Sequence, residues 1–189
     1  MHNIVGPDFD RRYIEVKHAN KVGLAMSGGL DSFVLYHWLI SNNIFPTIFN
    51  IKREDGFDRS DRVRDLTGRD DIIVIDESTK KHDERISNGL SEMQEQVDIL
   101  YTGINHAPPL EHFPQFDVRD RPLRPWRISM EGNHKTYAPF LHLYKYHIVS
   151  LGKSLGIDMK KTQSCLVQHN SHCGKCFQCL ERQWGFDLS

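Results

Sequence analysis

Short apolar runs at Val22–Ser27, Thr47–Ile51, Ile72–Asp76 and Ile99–Gly103 alternate with stretches whose apolar residues recur at helical spacing. That alternation predicts an α/β fold, a doubly wound parallel sheet with helices on its faces. Helices are expected at Leu30–Ser41, near Ser60–Leu66, at Lys80–Gln96 and at Leu141–Leu155. Ligands of such folds gather beyond the carboxyl ends of the strands, where the turn Ser27–Ser32 and the side chains of Asn50, Asp76 and Asn105 are expected to meet. Residues 1–20 read as an N-terminal extension, 21–160 as the main domain and 161–189 as a separate C-terminal region. The stretch His106–Tyr137 carries Pro108, Pro109, Pro114, Pro122 and Pro125, a density that argues for an irregular insertion.

The turn between the first run and its helix is the first place where chemistry enters. Ser27-Gly28-Gly29-Leu30-Asp31-Ser32 brings backbone amides together at a helix start. The glycines let the main chain approach an anion without a Cβ in the way, and the helix dipole favours negative charge there. Ser27 and Ser32 add hydroxyl donors, and Asp31 is suited to hold Mg²⁺ against phosphate oxygens. Neither a Walker A spacing nor Gly-x-Gly-x-x-Gly is present. The pattern resembles the PP-loop of the ATP pyrophosphatases, which grips the pyrophosphate of ATP while the α-phosphate is attacked. The bland alternative is a Ser/Gly turn before an ordinary helix.

All four cysteines, Cys165, Cys173, Cys176 and Cys179, fall within one short stretch. Four thiolates at this spacing match a closed tetrahedral Zn²⁺ site. Two disulfides or a [4Fe–4S] cluster would use the same residues, although no apolar signal core at the N-terminus points to export. His169 and His172 lie in the same loop as further candidate ligands or as groups hydrogen-bonded around the site.

Met26–Ser32, Thr162-Gln163-Ser164-Cys165 and Cys173-Gly174-Lys175-Cys176-Phe177-Gln178-Cys179 together resemble the 7-cyano-7-deazaguanine synthases. Tyr101–Asn105, Ala138-Pro139-Phe140, Tyr144–Val149 and Glu181–Phe186 are similar to further stretches of that family. The resemblance implies an adenine nucleotide α-hydrolase-like fold with a C-terminal zinc-binding loop and helix. It also implies a carbon–nitrogen ligase that adenylates 7-carboxy-7-deazaguanine, aminates it with ammonia, and dehydrates the amide to the nitrile of the queuosine route. Nucleotide contacts are then expected from Ala25, Met26, Ser27, Gly28, Gly29, Leu30, Asp31 and Ser32, with Asn50 and Gly103 at neighbouring strand ends. Asp31 and Lys145 are the expected catalytic groups, and ATP, Mg²⁺ and Zn²⁺ the cofactors. Two stretches depart from the family: Lys52-Arg53-Glu54-Asp55-Gly56 stands where a Tyr-Gly-Gln-like signature is usual, and Ala107-Pro108-Pro109-Leu110 follows Asn105 in place of Tyr-Pro-Asp-Cys-Arg. A PP-loop enzyme that adenylates a different carboxylate, a nucleoside or a protein terminus fits these departures, and a non-catalytic nucleotide- and zinc-binding module is a third class. A tRNA-thiolating relative would need a catalytic cysteine beyond the metal set.

Charge adds exclusions more than assignments. Lys and Arg number 24 against 25 acidic residues and are interspersed, so a backbone-driven nucleic-acid surface is not expected. No run is long enough to cross a membrane, and the chain reads as cytoplasmic. The partners this reading admits are a small-molecule acid, ammonia and a second copy of the chain. Arg119, Arg121, Arg124 and Arg127 crowd the insertion, where they could clamp an anion from a lid or pair with Asp117 and Asp120 at a solvated surface.

Overall fold

The structure, a computed structural model, describes residues 2–52, 59–114, 135–167 and 171–189, and of His82, Asp83 and Leu110 the backbone only. In chain order come β1 (His2–Val5), β2 (Arg11–Ile14), β3 (Val22–Ala25), α1 (Leu30–Ser41), β4 (Thr47–Ile51), α2 (Ser60–Thr67) and β5 (Ile73–Ile75). There follow α3 (His82–Gln96), β6 (Ile99–Thr102), β7 (Thr136–Tyr137), α4 (Lys145–Ser154) and α5 (Phe177–Asp187). Among the described residues the main sheet has five parallel strands in the order β5-β4-β3-β6-β7. The chain enters at the centre, winds outward through β4 and β5, then crosses to β6 on the other side of β3. The switch point, where an α/β sheet opens a crevice, therefore lies at the carboxyl ends of β3 and β6.

Burial explains why the sheet is covered on both faces. Val22, Gly23 and Leu24 of β3 are all buried, as expected of a central parallel strand. One face carries Leu30, Val34, Leu35, Trp38 and Leu39 of α1 together with Ile148, Val149 and Leu151 of α4. On the other, Phe49, Ile75 and Leu100 pack with Met93 of α3 and Val97. Each such side chain contributes roughly 1.5–3 kcal/mol on burial, enough to fix the sheet under its helices. No helix among the described residues is long and apolar enough to cross a membrane.

Two features differ from the sequence expectation. The last helix before the cysteines starts at Lys145, not Leu141. Phe140 and Leu143 are fully buried within turns closed by Leu141 N–H to Ala138 O (3.2 Å) and Leu143 N–H to Phe140 O (2.8 Å), which hold residues 138–143 outside the helix. The second is an antiparallel ribbon, β1 with β2, in the segment read as an extension. Ile4 and Ile14 of this ribbon enter the main core, and Asp10 accepts hydrogen bonds from Arg12 (2.8 Å) and Tyr146 (3.0 Å). Residues 53–58 and 115–134, with Arg119, Arg121, Arg124 and Arg127, lie outside the described residues, as does His169.

Candidate nucleotide and metal sites

The turn after β3 is tied down before any ligand arrives. Met26 is buried; its N–H donates to Phe49 O (2.8 Å), and its carbonyl accepts from Asn50 Nδ2 (2.7 Å). Gly28 follows at φ +73°, a conformation that strongly favours glycine, and its carbonyl accepts from Gln163 N–H (3.0 Å). Ser32 turns its hydroxyl inward, accepting from Ser27 N–H (3.3 Å) and donating to Gly29 O (3.3 Å). Leu30 is fully buried and anchors the helix start in the core. Gly29 is the N-cap of α1 and no side chain caps it, which leaves the first-turn amides for an anion.

Gly103, at the end of β6, meets this turn from the side. A Cβ there would stand 2.8 Å from Ser32 N, so the absence of a side chain lets α1 start against the β6 end. Among the described residues, two buried polar atoms on the strands flanking β3, Asn50 Oδ1 and Thr102 Oγ1, have no hydrogen-bond partner. Orphaned acceptors and hydroxyls of this kind at a strand-end crevice fit a polar ligand such as a nucleotide. Asp76 is held by Lys52 Nζ (2.8 Å) and Ser78 Oγ (2.5 Å), and these donors hold its carboxyl down at about 2.

Beside the loop lies a charged assembly that the sequence expectation contained only in part. Lys145 Nζ stands 2.6 Å from each oxygen of Asp31 and 3.5 Å from Glu181 Oε2, although the lysine is only 4 % exposed. Glu181, 2 % exposed, accepts from Asn105 Nδ2 (3.0 Å) on its other oxygen. Asn105 therefore reaches the site through Glu181 rather than through a strand-end cluster with Asp76. A cavity of about 230 Å³ is lined by Ser27, Asp31, Lys145, Ser164, Gln178 and Glu181, among others, with Arg59 at its wall. Sequence reasoning missed Arg59 and Glu181 as site residues. Each sits in a region of mixed charge, and only the tertiary contact marks it.

The four cysteines gather at the start of α5 and in the chain before it. Their Sγ atoms all lie within 4.8 Å of one another, with Cys173–Cys179 and Cys165–Cys176 at 3.9 Å. A tetrahedral ion with metal–sulfur bonds of about 2.3 Å requires sulfur separations of about 3.8 Å, whereas a disulfide requires about 2.05 Å. The spacing thus fits one metal ion held by four thiolates, and a cubane cluster would spread the sulfurs further. Cys173 accepts from Lys175 N–H (3.5 Å) and Cys176 N–H (3.3 Å), which lowers its pKa. Burial pushes the Cys179 thiol up to about 12, a proton that a bound divalent ion would displace. His172 belongs to the surroundings rather than the ligand set, its Nε2 accepting from Ser164 N–H (3.3 Å).

α5 connects knot and loop. Cys176 is its N-cap, Cys179 lies in its first turn, and Glu181 and Arg182 follow. Arg182 donates to Thr162 Oγ1 (2.7 Å) and Met159 O (2.8 Å), fixing the strand of chain whose Gln163 holds Gly28. Its burial lowers the guanidinium pKa, which the neighbouring Asp31 partly offsets.

Comparison with known proteins bears on this same region. A family model described as queuosine biosynthesis protein QueC matches residues 124–189. The 7-cyano-7-deazaguanine synthase 1 of Sulfurisphaera tokodaii is 44% identical over 52 residues, 28% of this chain and 26% of that protein. The 7-cyano-7-deazaguanine synthase of Nitratiruptor sp. is 42% identical over 57 residues, 30% of this chain and 26% of that protein. A wider match, to the 7-cyano-7-deazaguanine synthase of Chelativorans sp., is 42% identical over 101 residues, 50% of this chain and 42% of that protein. The chain thus spans about a quarter of the length of the first curated relatives it matches, and under half of the wider one.

Proposed function

We propose that this QueC-like chain is an ATP-dependent ligase that converts 7-carboxy-7-deazaguanine and ammonia to the amide and then to 7-cyano-7-deazaguanine, releasing AMP and pyrophosphate. The observation that carries the reading is Lys145, buried against Asp31 at the uncapped start of α1 and linked through Glu181 of α5 to the four-cysteine cluster. The QueC match contains both Lys145 and all four cysteines.

In this reading the amides of the first turn of α1 and the Ser27–Ser32 backbone hold the β- and γ-phosphates. Lys145 stabilises charge on the departing pyrophosphate as the substrate carboxylate attacks the α-phosphorus and the α–β bridging bond breaks. Asp31 would hold Mg²⁺, which neutralises phosphate charge when bound. Ammonia then attacks the acyl carbon, AMP leaves, and a proton is lost to give the amide. In a second round the amide oxygen attacks the α-phosphorus of a second ATP, pyrophosphate leaves, and departure of AMP with loss of the two amide protons yields the nitrile. Cys165, Cys173, Cys176 and Cys179 would hold zinc in a structural role, since four protein thiolates leave no open position for a reacting group. A thiol set of this kind belongs in a reducing compartment, and we place the chain in the cytoplasm.

Turnover with MgATP, ammonia and 7-carboxy-7-deazaguanine, followed by mass spectrometry, tests this. Amide or nitrile together with AMP is the expected result. A second reading, adenylation of a different carboxylate, is favoured by the departures at Lys52–Gly56 and after Asn105. AMP formation with another acid but not with the deazapurine would select it.

A further inference from the structure

We propose that α5 is a positioning element for Lys145, with Glu181 holding the ammonium and Gly185 admitting the aliphatic stem; the inference rests on the nucleotide reading above. Glu181 and Gly185 are one helical turn apart and so share a face of α5. That face lies on Lys145. Glu181 Oε2 stands 3.5 Å from Nζ, while a Cβ on Gly185 would come within 2.4 Å of Lys145 Cγ and 3.1 Å of its backbone carbonyl carbon. No side chain larger than hydrogen fits between the two helices at this point.

The geometry leaves the lysine little choice of rotamer. Its stem is confined by Gly185 and its head is divided between two carboxylates, Asp31 from the loop and Glu181 from the helix. Glu181 is itself fixed by Asn105 Nδ2 at 3.0 Å, from the chain beyond β6. When phosphate and Mg²⁺ engage Asp31, Glu181 is the partner that keeps the ammonium at the loop mouth. Because Cys176 caps α5 and Cys179 lies in its first turn, the cysteine knot sets where this cradle stands.

The test uses the zinc-loaded full chain and two variants, Glu181→Gln and Gly185→Ala. The first keeps the shape and the contact to Asn105 but removes the charge; the second keeps the charge and displaces the stem. Both are expected to retain one metal ion per chain, Glu181→Gln with a wild-type unfolding profile to within a few degrees and Gly185→Ala folded but melting up to about ten degrees lower. The kcat for pyrophosphate release should fall about 10²-fold, the loss associated with misplacing a catalytic group by about 1 Å, with the KM for the acid unchanged. Calorimetry with an ATP analogue bridged by methylene between the α- and β-phosphorus should show weaker binding in both variants. Should Glu181→Gln misfold, Gly185→Ala carries the test by itself. Wild-type kcat and analogue affinity in a folded variant, or a lowered melting temperature with kcat intact, overturns the inference. A wild-type chain that neither binds the analogue nor releases pyrophosphate would instead defeat the nucleotide reading.

Discussion

Asp31 does two things at once: it sits in the first turn of α1, where the helix dipole favours its charge, and it accepts both contacts from a lysine that has almost no access to water. Asp31→Asn is expected to abolish pyrophosphate release while the fold survives. Lys145 keeps Glu181 as a counter-charge, so the stability loss should be about 1–2 kcal/mol, seen as a melting shift of roughly 2–8 °C. Normal turnover in this variant would move the ion site away from Asp31. The two residues were legible in the sequence because each stands in a motif with its own local logic. Their pairing was not, since 114 positions separate them. Glu181 was harder still: it lies two residues after Cys179 on a helix rich in polar side chains, and nothing local distinguishes a buried carboxylate from a solvated one.

At the level of elements, the knot and α5 behave as one unit, because the N-cap and a first-turn residue of the helix are themselves members of the cysteine set. One zinc per chain is expected from elemental analysis of protein purified without added metal. Cys176→Ser should lose that metal and at least about 2 kcal/mol of stability, a drop of roughly 4–8 °C in melting temperature. Full metal content in that variant, or disulfides in the wild type, would contradict the assignment. The central strands and the spacing of the cysteines could be read from sequence because period and motif report on them directly. The β1–β2 ribbon could not, as Arg11, Arg12 and Tyr13 precede Ile14 and each strand sends a single side chain, Ile4 or Ile14, into the core. The early start expected for α4 fails for a related reason: Phe140 and Leu143 are apolar at helical spacing, but their burial is achieved by turns.

Across the whole molecule, one buried imidazole helps hold the ribbon to α4, alongside Tyr146 and the apolar anchors Ile4 and Ile14. His147 accepts from Tyr144 N–H at Nδ1 (3.2 Å), so its Nε2–H is the donor to Asp10 O (3.2 Å), and the ring is neutral in this arrangement. Burial lowers its pKa from 6.5, against the opposing pull of Asp10, and burial lowers those of His37 and His172 as well. The folded chain therefore binds fewer protons than the unfolded chain below 6.5, and stability present above that pH is lost as the pH falls through the folded values. Melting temperature should decline between about pH 7 and pH 5, with a shallower decline in His147→Gln. An identical slope in the variant would assign the effect to other groups. The cradle formed by α5 carries a different consequence, one of timing. A growing chain emerges at roughly 5–20 residues per second, so the loop and its strands leave the ribosome several seconds before the helix that steadies the lysine. In the proposed reading, Lys145 therefore gains its second carboxylate only after α5 has emerged, late in synthesis.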